Sequence, residues 1–360
     1  EAPDQVADPY RWLEDVDSAD TKAWVAAQNA LTDSVLARMP ERARIRQRLT
    51  ELWNYPRMGL PFKEANWYFY TRNNGLQDQS PLYVRDGLSG VERLLIDPNT
   101  LSADGTVAVA LTSPSPDGKW LGYGLATGGS DWRELRLRDV ATGQDAADRV
   151  KWAKFTGMSW THDARGFFYS RYREPAGGDS KVFAKMENRQ LYYHRVGTPQ
   201  TEDRLVFAMP EQPAWFPSGA VSPDGRYLII SVSQPGKSGN SVYYLDLGDA
   251  RQPTFAGPVV KLIDQFASSY SFIGNQDRTF YFSTDADAPR GRIVSCHLDQ
   301  PSNPVTVLAE SSDTMDAARI SAGRFVVTYM HDVVNRVALF NLDGAPAVVV
   351  PAHRDRGRHE

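Results

Sequence analysis

Two segments near the start of the chain carry apolar residues at helical spacing. Between Ser18 and Met39 apolar side chains recur every three or four residues, and Ser18 can cap the first turn. A second such pattern follows Pro40 and stops before Pro56, because the residue ahead of a proline disfavours the α region. The pattern therefore predicts an N-terminal segment of two amphipathic helices, residues 1–53.

From residue 54 onward, short strands separated by turns replace the helical spacing. The strands are rich in Tyr, Phe, Val and Ile, and Asp-Gly, Gly-Gly and Asn-Gly pairs interrupt them. A polar turn leading into an apolar strand recurs about every fifty residues, as a repeat architecture requires. Its copies are "KEANWYFYTRN", "SPDGKWLGYGL", "THDARGFFYSR", "SPDGRYLIISV", "NQDRTFYFSTD" and "SAGRFVVTYMH".

A second strand that ends in a turn follows each copy, as in "SVYYLDLGDA" and "RVALFNLDGA". Four-stranded antiparallel blades of this size build a β-propeller. The sequence therefore predicts a mostly β chain with a β-propeller domain over residues 54–350, in which six blades are countable and a seventh is missing. Residues 351–360 form an atypical basic tail. A β-sandwich or a β-helix is the alternative. The coil of a β-helix is much shorter than fifty residues, and a sandwich need not repeat its turns.

Composition excludes several classes of partner. Forty Lys and Arg residues oppose forty-four Asp and Glu residues, and the net charge of −4 gives no field that attracts nucleic acid or an anionic membrane. No run of eighteen apolar residues occurs, so we expect no membrane partner. Cys296 is the only cysteine, which excludes an intramolecular disulfide and a thiolate zinc cluster. The chain starts at Glu1 without a methionine, and a removed signal peptide stays open.

Motifs for metal ions and cofactors are not found in the sequence. The six histidines show no close ligand pair and no HExxH, and no GxxxxGK[ST] phosphate loop occurs. We therefore predict no metal and no cofactor.

The stretch "GGSDWRE", residues 128–134, resembles the turn on which hydrolases present a nucleophilic serine. In that motif a second glycine follows the serine by two positions, on a turn from strand to helix. Trp132 occupies the glycine's position here, and the following residues form a strand pattern. Ser130 is therefore predicted to lie in a turn between two strands, and no catalytic residue is assigned.

Several motifs in one order resemble the prolyl oligopeptidase family. They include "DPYRWLED", "GGSDWRE", "VKWAKFTGMSWTHDARGFFYSRY", "LYYHRVGTPQTEDRLVF", "SPDGRYLIISVS" and "YMHDVVNRVALFNLDG". The resemblance implies a cytoplasmic or periplasmic serine endopeptidase that cleaves short peptides after proline. It also implies an α/β-hydrolase domain, capped by a seven-bladed propeller, against which residues 1–53 pack.

The same resemblance implies the roles of two residues. Asp131 matches a propeller aspartate that pairs across the domain gap with a substrate-orienting arginine, and Phe155 matches a phenylalanine that lines the substrate pocket. A solvated turn aspartate and an aromatic residue of the blade core are the respective alternatives. The family's catalytic Ser, Asp and His follow the propeller, so the 360 residues alone are expected to be inactive.

Two functions follow from these expectations. The first is the gating and substrate-lining portion of a prolyl oligopeptidase, with short proline-containing peptides and the hydrolase domain as partners. The alternative is a stand-alone, non-catalytic propeller that binds peptides or proteins. An active site inside the propeller has no convergent set of polar residues in its favour.

Overall fold

The computed structural model describes residues 7–174 and 186–350. Strands hold 44% of the described residues and helices 12%, which confirms the mostly β chain. The predicted tail, residues 351–360, lies outside the described residues.

Two α-helices open the chain, as predicted. They are α1, Ala19–Leu36, and α2, Glu41–Trp53. The hydroxyl of Ser18 accepts a hydrogen bond from the Thr21 N–H at 3.2 Å, which confirms Ser18 as the N-cap of α1. Short 3-10 helices lie at Arg11–Glu14, Pro98–Thr100 and Gln200–Glu202. None of the described helices is long and apolar enough to cross a bilayer.

Both α-helices expose large apolar side chains. Each of these residues is between 41% and 61% exposed. The set comprises Trp24, Val25, Leu31, Val35, Ile45, Leu49, Leu52 and Trp53. Helices of a self-contained domain turn such a stripe toward a core. The apolar faces of α1 and α2 are therefore only half covered.

The chain divides into two compact units, and each holds antiparallel sheets. Of the described residues, the first unit comprises 7–114, 118–154, 172–174 and 186. Its strands are β1 Arg57–Met58, β2 Phe62–Glu64, β3 Trp67–Asn73, β4 Leu82–Asp86, β5 Arg93–Ile96, β6 Val107–Pro114, β7 Trp120–Thr127, β8 Trp132–Asp139 and β9 Asp145–Lys154. One sheet runs in the order β1-β3-β4-β5 with β2 also paired to β3, and in another β6, β7, β8 and β9 pair in sequence order.

Of the described residues, the second unit comprises 115–117, 155–171 and 187–350. Its strands are β10 Ser159–Trp160, β11 Gly166–Arg171, β12 Gln190–Arg195, β13 Arg204–Phe207, β14 Phe216–Val221, β15 Tyr227–Ser233, β16 Asn240–Asp246, β17 Val260–Ile263, β18 Tyr270–Gln276, β19 Thr279–Thr284, β20 Arg292–His297, β21 Val305–Leu308, β22 Thr314–Ser321, β23 Arg324–His331, β24 Val334–Asn341 and β25 Pro346–Val350. Three sheets are four-stranded meanders, β14–β17, β18–β21 and β22–β25, while β11, β12 and β13 pair in order with β10 on β11. The fold is of the predicted propeller type, and the number of blades stays a prediction.

Aromatic and β-branched side chains fill the space between the sheets. On β19, Phe280 and Phe282 are fully buried, and the ring of Tyr227 meets Phe280 edge to face with centroids 4.9 Å apart. Cys296 lies in the same cluster, and burial raises the pKa of its thiol to about 11. The sheets thus bury their own cores, and the single thiol is held protonated within one of them.

The recurring polar turns are fixed by their own side chains. The Ser222 hydroxyl donates to Asp224 and accepts the Tyr227 N–H at 2.9 Å, while Asp224 accepts the Arg226 N–H at 3.1 Å. Gly225 has a φ of 77°, which only glycine adopts without steric cost. Local hydrogen bonding therefore explains why "SPDG" precedes a strand.

Candidate functional site

Ser130 lies in the turn between β7 and β8, as predicted. Gly128 and Gly129 have positive φ angles, and the Ser130 hydroxyl accepts the Trp132 N–H at 3.2 Å. Trp132 then begins β8, which pairs with β7. The turn joins two strands of a hairpin and lacks the strand-to-helix geometry of a nucleophile elbow.

Asp131 follows Ser130 and is both exposed and paired. Its side chain is 56% exposed, and one carboxylate oxygen lies 3.7 Å from the Lys154 ammonium. Lys154 itself is 10% exposed and stands at the end of β9. The buried lysine therefore holds the carboxylate in place while part of the carboxylate stays open to a second cation.

Aromatic rings fix the position of Lys154. Its ammonium lies 5.3 Å from the centroid of the Trp132 ring, and Trp132 and Lys154 are cross-strand partners of β8 and β9. Trp132 in turn meets Trp152 and Tyr172 edge to face at 5.9 and 5.7 Å. Three packed rings limit the movement of the ammonium and, through it, of Asp131.

Phe155 belongs to the second unit and lies just after β9. Its side chain is 51% exposed, so the interpretation of Phe155 as a residue of the blade core is wrong. Its φ is +49°, a left-handed conformation that is uncommon for a residue with a Cβ. The buried Arg189 guanidinium donates to the Phe155 carbonyl at 2.6 Å and so holds the backbone in this conformation.

The residues that follow Phe155 are anchored inside the same unit. The Thr156 hydroxyl accepts the Ser170 N–H at 2.8 Å, and the Ser170 hydroxyl donates to the Pro217 carbonyl at 2.9 Å. Thr156 and Ser170 are both buried. The ring of Phe155 is thus presented to solvent from a backbone that is held on both sides, by Arg189 and by Thr156.

These two positions offer recognition chemistry. An exposed carboxylate binds a cation, and an exposed ring on a fixed backbone packs against an apolar group. Asp131 and Phe155 belong to different units, so the geometry of each is defined within its own unit. Among the residues that the structure describes, no group of three or more His, Cys, Asp or Glu side chains could hold a metal ion.

A histidine–carboxylate pair does occur in the second unit, away from the surface. His194 Nδ1 lies 2.7 Å from an oxygen of Asp203, and both side chains are fully buried. The Tyr169 hydroxyl donates to the other Asp203 oxygen. Because no substrate can reach this pair, it stabilises the packing of β11 and β12 and does not act as an acid or base on a ligand.

Sequence reasoning missed the residues that support the two candidate positions. Strand register places Lys154 beside Asp131. Two further aromatic residues, Trp152 and Tyr172, reach Trp132 only because the chain returns to it. The one available signal is that Trp132 and Lys154 become cross-strand partners if the two segments pair as an antiparallel hairpin. Arg189 lies too far from Phe155 along the chain for any local pattern to join them.

The profile of a known family matches nearly the whole chain. The family is described as "Prolyl oligopeptidase, N-terminal beta-propeller domain", and the match covers residues 1–353. This match confirms the family suggested by the sequence motifs.

Curated relatives match the same region. A prolyl endopeptidase of Elizabethkingia miricola is 34% identical over 343 residues, which are 94% of this chain and 47% of the relative. A dual function macrocyclase-peptidase POPB of Galerina marginata is 28% identical over 364 residues, 94% of this chain and 49% of the relative. The chain spans about half the length of the curated relatives it matches.

Solved structures agree with the sequence relatives. One, from work on two prolyl endopeptidases and their inter-domain dynamics, is 36% identical with a TM-score of 0.75, over 98% of this chain and 50% of that chain. Prolyl oligopeptidase B from Galerina marginata, bound to a 35mer hydrolysis and macrocyclization substrate, is 26% identical with a TM-score of 0.85. The match covers 96% of this chain and 51% of that chain.

Proposed function

We propose that this chain, which belongs to the prolyl oligopeptidase family through its N-terminal β-propeller domain, gates the active site and lines the substrate pocket of a serine endopeptidase. The enzyme would cleave short peptides after proline. The names of its relatives support this activity, because several are prolyl endopeptidases or prolyl oligopeptidases. The chemical step would belong to the family's hydrolase domain, and the residues here would choose and hold the substrate.

The observation that carries the proposal is the exposed ring of Phe155. Half of its surface is open although the backbone beneath it is fixed by Arg189. A large apolar side chain held in this way loses little freedom when a ligand covers it. A peptide side chain beside proline could be desolvated against the ring, which is how aromatic walls shape small-ligand sites.

Asp131 would contribute to the contact between domains. Its open carboxylate can take a second cation while Lys154 keeps it oriented. An arginine of the hydrolase domain is the cation that the family resemblance implies. An exposed pair of this kind contributes about 0 to 1 kcal/mol, which suits a contact that must open and close.

The helices supply a larger surface for the same domain. Leu36, Met39, Ile45 and Leu49 border an apolar groove of about 570 Å³ between α1 and α2. Together with the other half-exposed apolar side chains of α1 and α2, this groove supports an interaction surface on the helices. We assign residues 1–53 to contact with the hydrolase domain, with residues 54–350 as the propeller that carries Asp131 and Phe155.

A binding experiment on the chain itself tests the role of Phe155. The ligand is a short, blocked peptide with one internal proline, and binding is measured by isothermal titration calorimetry. We expect Phe155→Ala to weaken binding roughly tenfold, which corresponds to about 1.4 kcal/mol, while Phe155→Tyr, which keeps the ring, binds like the wild type. Equal binding by Phe155→Ala and wild type would remove Phe155 from the substrate site.

The length of the native gene product separates this proposal from a stand-alone binding module. Intact-mass measurement on the protein isolated from its own cells is the direct test. A product longer than these 360 residues by a whole domain, labelled by a serine-directed phosphonate, supports the peptidase. A product of this length that binds peptides without cleaving them supports the module.

A further inference from the structure

A cleft lies in the second unit between the β14–β17 and β18–β21 sheets, and the described residues that line it are all uncharged. Its volume is about 430 Å³, within the range of small-ligand sites. Hydroxyl groups of Ser218, Ser231, Ser233 and Ser271 line it, and Phe272 and Phe282 add apolar surface. A charged ligand would lose hydration here without gaining a counter-ion, so the lining favours a polar but uncharged ligand.

One amide group already occupies the edge of this cleft. The Asn240 side chain is 8% exposed, and its carboxamide oxygen accepts the Tyr270 N–H at 2.7 Å. Its nitrogen donates to the Tyr270 carbonyl at 3.1 Å and to the Ser231 hydroxyl at 2.9 Å. The backbone of β18 thus binds an amide at two points, as it would bind a neighbouring strand.

The next pair of backbone groups on β18 points the same way. Among the described strands, β18 is the edge strand of its sheet and pairs with β19, where Tyr270 faces Thr284 and Phe272 faces Phe282. In an antiparallel pair, backbone groups alternate between the partner strand and the open side. Tyr270 bonds outward to Asn240, so the same alternation directs the N–H and carbonyl of Phe272 outward, at the last regular pair before the register shift between Phe272 and Gly274. Phe272 also lines the cleft.

Hydroxyl groups face this edge from β14 and β15. Ser218 and Ser231 are cross-strand partners, and the Ser218 hydroxyl reaches the Ser231 carbonyl only at 3.4 Å. The Ser231 hydroxyl accepts from the Asn240 carboxamide, and Ser233 and Ser271 add further hydroxyl groups to the lining. The cleft therefore combines an open strand edge with hydroxyls able to donate or accept.

We propose that this cleft binds an extended, uncharged peptide segment with hydroxyl or carboxamide side chains, one peptide group pairing with Phe272 as the Asn240 carboxamide pairs with Tyr270. The ligand adds a strand to the edge of β18, which is a common mode of peptide recognition. The inference rests on the proposed function insofar as the ligand is a peptide. It requires neither proline nor Phe155.

The test uses a proline-free probe, the blocked tetrapeptide acetyl-Thr-Gln-Thr-Ser-amide, titrated into the ¹⁵N-labelled chain. We expect a saturable downfield shift of the Phe272 N–H, since a new hydrogen bond forms there. Ser218→Leu, which fills the cleft, and Ser233→Asp, which charges it, should weaken binding about tenfold or more, the effect of losing 1.4 kcal/mol. Ser302→Leu and Ser302→Asp, at an exposed turn, are the matched controls and should bind normally.

Each result decides the inference. It is overturned if the probe leaves the Phe272 N–H unmoved at millimolar concentration, or if a probe with Glu at the second position binds equally well. Phe155→Ala should leave binding of this probe unchanged. If Phe155→Ala loses binding of the proline peptide but still binds this probe, the two sites are separate. If the chain binds the proline peptide through Phe155 but does not bind this probe, the cleft is not a peptide site and Phe155 keeps its role.

Discussion

The sheets of this chain bury most of their large apolar residues, whereas the helices leave theirs half exposed. On β19, Phe280 and Phe282 are fully buried among residues of neighbouring strands. On α2, Ile45, Leu49 and Leu52 each leave about half of their surface open. Both segments have the apolar spacing of their secondary-structure type. That spacing alone therefore does not show whether an apolar face is covered by another part of the chain.

This difference in burial indicates that the sheets stabilise the fold and that the helices offer a surface for association. A sheet that buries both its rings and its backbone hydrogen bonds is stabilised from within. A helix pair with open apolar faces gains most of its burial only when another surface covers it. We therefore expect core substitutions in the sheets to change the free energy of unfolding, and substitutions on the helices to change association.

The largest contrast is expected between Phe282→Ala and Leu49→Ala. Phe282 is fully buried, so its truncation should cost about 3–5 kcal/mol through lost burial and a cavity. Leu49→Ala should cost less than about 1 kcal/mol, because half of Leu49 is already in water. Urea unfolding followed by circular dichroism measures both, and comparable losses would show that the helices are as tightly packed as the sheets.

A smaller effect is expected from Asp145→Asn, in a sheet of the first unit. Burial acts to raise the pKa of the Asp145 carboxyl, but hydrogen bonds from Arg138 and Tyr123 outweigh it and lower the pKa below its ordinary value. The carboxylate therefore stabilises the folded state above the unfolded-state pKa of about 3.9, and this stabilisation is lost as the pH falls through the lower folded-state pKa.

We expect Asp145→Asn to cost about 1–2 kcal/mol at pH 7 and to flatten the fall in stability between about pH 5 and pH 2. Asp33→Asn, on the exposed surface of α1, is the matched control and should leave both unchanged. Unfolding free energies measured across this pH range check the prediction. An unchanged pH profile in Asp145→Asn would show that the Arg138 pairing does not stabilise the fold.

The smallest effect on stability is expected from the double variant Ile45→Gln, Leu49→Gln. Its free energy of unfolding should stay within about 1 kcal/mol of the wild type, since both side chains are half exposed. We also expect the open apolar groove between α1 and α2 to promote self-association of the wild-type chain, so the double variant should sediment more slowly in sedimentation velocity. Unchanged association would locate the contact surface elsewhere.

Local patterns in the sequence predicted the elements well. The cap at Ser18, the end of α2 before Pro56 and the turn at Ser130 each depend on a few neighbouring residues. The repeated turns also follow from local chemistry, because Ser222 and Asp224 bond to each other and to the next strand. Such features need no knowledge of distant contacts.

The candidate site was less predictable because its support comes from residues that are distant in sequence. Phe155 could have belonged to the core, and only the Arg189 contact and the left-handed backbone show why its ring is exposed. Asp131 was expected to form an ion pair with an arginine of another domain, yet Lys154 already lies beside it within this chain. The pairing depends on the register of β8 and β9, which apolar periodicity does not specify.

The rate at which the buried Cys296 thiol is chemically labelled reports how often its sheet opens. Because a protonated thiol in a closed core does not react with alkylating reagents, modification requires that the β18–β21 sheet open first. With reagent in excess, the labelling rate reports the opening frequency of that one sheet, without any introduced probe. The same rate, measured with and without a bound peptide, would show directly whether occupancy of the β18 edge slows the opening of the sheet beside it.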